Sequence, residues 1–194
     1  MSSIEEQIEL LENDLLAKPM RISAYHDLPF AIFHYPPKEE FAMRKQMALL
    51  ATRLGNAGKR VKFVSLGRLF WQAIAETEGI DALATAEKQF GFKRVQESVA
   101  TILSDPDFAP LPDLIVAQTA ELDPEDSIVF LVRVGVLGPA FYRTAKLLEA
   151  LHGKTMIPIV LFYPGTLEGP NNLRFLDLPE QEVSGTYSYR VKIY

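Results

Sequence analysis

The chain has 194 residues, of which 48% are hydrophobic and 23% charged, with a formal net charge of -5 and no cysteine. This balance leaves enough apolar side chain for one domain that buries roughly 70% of the surface its unfolded chain would expose. It excludes disulfide scaffolds and thiolate metal sites, and supplies no overall field to attract nucleic acid or an anionic membrane.

In chain order, residues 3–17 place Ile4, Ile8, Leu11 and Leu15 on one helical face, with acids early where the helix dipole favours them. Lys18-Pro19 ends that helix. The run LPFAIFHY (28–35) reads as a buried strand, stopped by Pro36 and Pro37. Residues 38–57 predict a helix lined by Met43, Met47, Leu50 and Leu54 and closed by the turn GNAGKR. VKFVSLG (61–67) predicts a second strand, and RLFWQAIAETEG a further helix with Leu69, Phe70, Ala73 and Ile74 inward. Residues 80–104 predict two helical pieces broken near Gly91, and SDPDFAPLPD a loop. The stretch 113–121 fits either a short helix or a strand.

DSIVFLVR (126–133) predicts the third strand. A helix follows with Pro139 in its first turn and Phe141, Ala145, Leu148 and Leu151 along one face. MIPIVLFY (156–163) predicts the fourth strand, with Pro158 an anomaly inside it because proline cannot donate to a ladder. The tail YSYRVKIY alternates, Tyr187, Tyr189, Val191 and Ile193 against Ser188, Arg190, Lys192 and Tyr194, as a half-exposed last strand does. Apolar strands separated by helices need a parallel sheet covered on both faces. The expectation is an α/β fold: a single three-layer domain over 1–194 with a mostly parallel sheet of about five strands, resembling a P-loop or Rossmann-like fold without a phosphate-binding loop. Residues 1–18 form its N-terminal helix, and 80–121 a helical and proline-rich insertion. The acidic start MSSIEEQIELLENDLL is no signal peptide, and no window reaches ~18 apolar residues, so a cytoplasmic protein is expected.

The letters Gly153-Lys154-Thr155 match the end of a phosphate-binding loop, but such a loop needs a strand feeding a glycine-rich turn into a helix N-terminus. Here the order is helix then strand, and the position five before Gly153 is Leu148. Gly153 is expected to be a left-handed helix cap with Lys154 at the negative end of the dipole. After the first strand stands HYPPKEEF, without glycine, and the third strand ends in Arg133 where a Mg²⁺-binding Asp would be wanted. Nucleotide hydrolysis of the usual kind is therefore not expected.

The three histidines, His26, His34 and His152, lack metal-ligand spacing, and no G-x-S-x-G elbow occurs, so neither a metal, a cofactor nor a catalytic residue is expected. Glu39 and Glu40 read as solvated first-turn charge. Arg53, Lys59, Arg60 and Lys62 read as a solvated helix end, lacking the interleaved aromatics of a phosphate track. If the strands are parallel, His34, Tyr35, Ser65, Arg68, Arg133 and Tyr163-Pro164-Gly165 collect at one carboxyl edge, where open α/β sheets bind ligands. Arginine and tyrosine also dominate interface hot spots. Arg133 could instead be tied to a carboxylate such as Glu168 or Asp177, and Tyr163-Pro164-Gly165 could be only a turn after a strand.

Two stretches, LPFAIFHYPPKEEFAMRKQMALLATRLGNAGKRVKFVSLGRLFWQAI and IVFLVRVGVLGPAFYRTAKLLEALHGKTMIPIVLFYPGTLEG, with the terminal YRVKIY, resemble the BrxB component of BREX bacteriophage-defence systems. The resemblance spans most of the chain apart from the middle helices and the proline-rich loop. It implies a cytoplasmic protein acting beside a methyltransferase, a large ATPase and a PglZ-type protein of the alkaline-phosphatase superfamily. The expectation is a non-catalytic adaptor that binds another BREX protein, a PglZ-type component first, through a surface of Arg133, Tyr142, Arg143, Tyr163, Pro164 and Gly165. The alternatives are a degenerate nucleotide-binding sensor or enzyme, with phosphate against Arg133 and the helix start near Gly138, and a DNA-contacting module, which the acidic balance disfavours.

Overall fold

The computed structural model describes residues 3–22, 28–168, 172–178 and 191–194. Its first helix, α1 (Ile4–Leu16), begins at a capping box: the Ser3 hydroxyl accepts from the Glu6 N–H at 3.2 Å, while the Ser3 N–H donates to the Glu6 carboxylate at 2.9 Å. Strand β1 (Phe30–Tyr35) leads through a 3-10 turn at Pro37–Glu39 into α2 (Glu40–Asn56), and β2 (Arg60–Ser65) leads directly into α3 (Leu66–Glu76). That helix starts before the position expected from periodicity because the Ser65 hydroxyl accepts from the Arg68 N–H at 3.3 Å and caps it. The insertion supplies α4 (Ile80–Phe90), α5 (Phe92–Ser104) and α6 (Leu111–Thr119), so the ambiguous stretch is a helix.

Strand β3 (Ser127–Val132) is followed by the short α7 (Gly138–Phe141) and then α8 (Thr144–Leu151), two helices where periodicity suggested one. They part at Tyr142 and Arg143, both extended. Strand β4 (Ile159–Glu168) starts one residue after Pro158, which resolves the proline anomaly: its carbonyl accepts from Val129 and no ladder donor is lost. β4 also runs past the expected end and turns back as an antiparallel hairpin with β5 (Asn172–Phe175), which adds a strand to the expected five. The last strand is β6 (Lys192–Ile193).

The sheet runs β2-β3-β4-β1-β6, with every pair on that path parallel and β5 added to the far end of β4. Strand periodicity divides the core in two. Ala31, Phe33, Tyr35, Ile128, Phe130, Val160 and Phe162 face α1 and α2, meeting Ile8, Leu11, Leu15, Met43, Met47, Leu50 and Leu54. Phe30, Ile32, Val129, Leu131, Ile159 and Leu161 face the other way, toward α3, α5, α6 and α8. β1 winds outward to β2 through α2 on one face, and the chain returns through β3 and β4 with its helices on the opposite face. Crossovers of one hand demand this change of face when direction along the sheet reverses. No helix among the described residues is long and apolar enough to cross a membrane.

The tail is more deeply held than a half-exposed strand. Tyr194 donates its N–H to Ile32 at 2.9 Å and accepts from the His34 N–H at 3.0 Å, and its ring is buried among the α1 and α2 side chains. Residues 187–190 of the expected strand lie outside the described residues. The anchor is Asp14 on α1, a buried carboxylate that accepts from the Tyr194 hydroxyl at 2.8 Å and from Lys192, with Arg21 3.4 Å away. Burial alone would raise the Asp14 carboxyl, but the hydrogen bonds from Lys192 and Tyr194 and the two cationic charges hold it below its ordinary value. The Tyr194 phenol is pushed up by burial and by Asp14, and so remains a donor.

Asp14→Asn is therefore expected to cost about 1–3 kcal/mol of stability at neutral pH, the scale of a buried charge-assisted hydrogen bond. The Asp14 contribution is present above the unfolded carboxylate value of about 4 and is lost as pH falls through the lower folded value. Denaturant unfolding from about pH 7 to 3 should show a weaker acid loss in the variant; equal acid sensitivity would contradict this role.

Candidate functional site

Parallel pairing aligns Tyr35 with Pro164 and Ser65 with Val132, so the residues expected at one carboxyl edge do share it. β4 lies there between β1, whose chain departs to one face, and β3, whose chain departs to the other. This is the crevice where open α/β sheets commonly hold ligands. Side chains from β1, α2 and the end of β3 meet across it.

Glu40 stands at its centre. The Tyr35 hydroxyl donates to Glu40 Oε2 at 2.5 Å, Arg44 Nε donates to Oε1 at 2.9 Å, and Arg133 reaches the same Oε1 with a guanidinium nitrogen at 3.9 Å. Burial first, then the carboxylate beside it, pushes the Tyr35 phenol well above its ordinary range and keeps it a donor. The pairing of Arg133 is thus with Glu40, while Glu168 pairs with Arg174 and Asp177 accepts from the Thr166 hydroxyl at 2.9 Å. Sequence reasoning missed Glu40 because two adjacent glutamates after a proline pair look like first-turn charge. The available signal was its position five residues after Tyr35 and four before Arg44.

Arg133 itself has a left-handed backbone, φ 64 and ψ 36, an uncommon conformation for a residue other than glycine, and its side chain is 47% exposed. Phe41, one residue beyond Glu40, is 79% exposed with the Arg44 guanidinium 4.8 Å from its ring centre. Two arginines therefore converge on one carboxylate oxygen with an uncovered aromatic ring alongside. Periodicity pointed to the buried face of α2 and gave no reason to single out Phe41.

The other expected surface residues divide. Arg143 is exposed, whereas Tyr142, Tyr163, Pro164 and Gly165 are buried. Tyr163 packs edge-on against Phe175 with ring centres 5.4 Å apart. Burial, with the Asp113 charge adding to it, raises the Tyr142 phenol. Tyr163-Pro164-Gly165 is not a turn: it continues β4 into the hairpin. His34 Nδ1–H donates to the Gly165 carbonyl at 3.3 Å, fastening β1 to the hairpin base, and burial lowers the His34 imidazole below its ordinary value despite that bond.

The GKT letters fall at the end of α8, as helix-then-strand order implies. Gly153 has φ 74, the Lys154 N–H returns to the Leu151 carbonyl at 3.0 Å, and the Lys154 ammonium pairs with Asp113. The basic residues near β2 are likewise tied locally: Arg53 to Glu12 at 2.7 Å, Lys59 to the Glu125 carbonyl at 2.8 Å and Arg60 to Asp126 at 2.9 Å. Among the described residues no group of three or more His, Asp or Glu side chains is placed to hold a metal ion.

A side chain at position 165 has no room, since its Cβ would lie 2.1 Å from the Arg174 carbonyl oxygen and 2.7 Å from the Tyr163 ring. Gly165→Ala is expected to lower stability by about 1–3 kcal/mol through overpacking at the hairpin base. Chemical denaturation of the two proteins checks it, and unchanged stability would show that β4 and β5 do not approach this closely.

The comparisons with known proteins agree with the resemblance read from the sequence. No solved structure matches the chain. It is similar to the BREX protein BrxB of Bacillus cereus (strain H3081.97), 25% identical over 146 residues that make up 74% of each chain. The family model for BREX protein BrxB matches residues 62–193. That match runs through the middle helices and proline-rich loop, which the sequence-read resemblance had left out, and begins after β1 and α2. By that match over more than half its length, the chain belongs to the BrxB family of BREX phage-defence components.

Proposed function

We propose that this chain is a non-catalytic, cytoplasmic adaptor that binds another protein of its BREX system, with a PglZ-type component the first candidate. The observation that carries this reading is the Glu40 cluster. The crevice that would take a small ligand is spanned by Tyr35, Glu40, Arg44 and Arg133, while Phe41 and the two guanidinium groups lie toward solvent at its rim. Exposed aromatic rings beside arginines are the residue types that carry binding energy at protein interfaces. Arg133 and Arg143 remain the outward part of the contact surface, with Phe41 and Arg44 joining them. Tyr142, Tyr163, Pro164 and Gly165 serve beneath it, setting the backbone that carries those side chains. Membership of a multi-protein defence system supplies the partners such a surface requires.

Co-expression of the tagged chain with the other proteins of its BREX system, one at a time, tests the proposal. The expected result is retention of at least one, the PglZ-type protein first, with retention falling about tenfold or more in Phe41→Ser, Arg133→Glu. An intact, folded wild-type chain that retains none of them would overturn the adaptor reading.

A further inference from the structure

The corner between α4 and α5 is exposed over eight consecutive residues, Glu87 to Arg94. Both helices bury their apolar residues elsewhere: Leu83 on α4, and Val95, Val99, Ile102 and Leu103 on α5. At the corner stand Phe90, 68% exposed, and Phe92, 60% exposed, on either side of Gly91. Eight exposed residues in a row are more than a full helical turn with no side covered, so the corner stands out from the body, and nothing lies within 4 Å of where a Gly91 side chain would begin. Lys88, Lys93 and Arg94 flank the rings, against Glu87 and against Glu97, which pairs with Arg94 at 3.6 Å, in a chain whose net charge is -5.

Two uncovered rings two residues apart place apolar surface together in water, and neither contributes to the cores described above. With Arg94 committed to Glu97, Lys88 and Lys93 against Glu87 still leave the corner locally positive in an acidic chain, which favours an acidic rim on what it meets. A polyanion tracked along a strand would need a groove rather than a corner. A projecting corner suits insertion into a pocket. We infer that the Phe90-Gly91-Phe92 corner is a docking knob for an apolar cleft rimmed by carboxylates on a second partner protein.

This inference rests on the adaptor reading and extends it. α5 belongs to the core on one face of the sheet, and α2, which carries Phe41 and Arg44, to the core on the other. Two contact surfaces on opposite faces let one chain bridge two proteins.

The test uses the full chain, tagged and co-expressed singly with each other protein of its BREX system, in wild-type form and as two variants: Phe90→Ser with Phe92→Ser, and Lys88→Glu with Lys93→Glu and Arg94→Glu. All these side chains are exposed, so melting temperatures should match the wild type and report that the fold is intact. The expected result is that both variants lose one partner by about tenfold or more, that retention of this partner weakens as salt rises, and that the partner held through Phe41 and Arg133 is unaffected. Variants that retain every partner as the wild type does would overturn the inference and leave the adaptor reading standing. A wild-type chain that retains no partner would overturn both. Binding of a fluorescein-labelled single-stranded 20-mer, lost in the charge-reversed variant, would reassign the corner to nucleic acid and equally overturn the inference.

Discussion

Glu40 is the constraint on which the working edge of this protein depends. It is placed by the turn that Pro36 and Pro37 impose after β1, which brings the first residue of α2 back over the strand's own Tyr35. The carboxylate then collects one phenol and two guanidinium groups. Removing it would leave the Tyr35 hydroxyl and both arginines without the acceptor that fixes them, a larger disturbance than loss of any one donor. The left-handed backbone at Arg133 belongs to the same arrangement, because it turns the chain out of β3 and aims that side chain at Glu40.

The sheet beneath makes this possible. β1, β3 and β4 bury both faces, and their alternate residues feed two separate cores. Such strands cannot slip by one residue without moving every side chain to the wrong core, so the carboxyl edge is set in register by packing far from it. The hairpin of β4 and β5 then rises beyond that edge, fastened by His34 to the Gly165 carbonyl and permitted by the missing side chain at Gly165. At the opposite margin Asp14 performs a comparable role for β6, holding Tyr194 and Lys192 against α1.

The central layers were legible in the sequence for a physical reason: Met43, Met47, Leu50 and Leu54, or Leu69, Phe70, Ala73 and Ile74, repeat at the helical period because they must share one buried face. The parallel sheet followed from unbroken apolar strands. What stayed hidden depends on contacts between distant segments. Periodicity carries no sign that β5 pairs antiparallel with the end of β4, that α7 and α8 part at Tyr142, or that Tyr194 enters the core. The candidate site shows the same division. The arrival of His34, Tyr35, Arg133 and Tyr163 at one edge followed from strand direction, but which of them face solvent did not. Tyr163 is a core residue in this fold, whereas Glu40, which reads in the sequence as solvated first-turn charge, and Phe41, which periodicity passes over, define the rim.

An adaptor reading asks for a body that stays rigid and surfaces that stay uncovered. Two packed cores supply the first; Phe41 with Arg44 and Arg133, and the Phe90-Gly91-Phe92 corner, supply the second. The most direct test of the claim that the carboxyl edge is closed by its own side chains is a thermal shift of the purified chain against Mg²⁺ with ATP, GTP and their diphosphates, because any ligand bound by the folded state raises stability by RT ln(1 + [L]/Kd). The account predicts an unchanged melting temperature at millimolar nucleotide. A concentration-dependent rise that disappears in Arg133→Ala would contradict it.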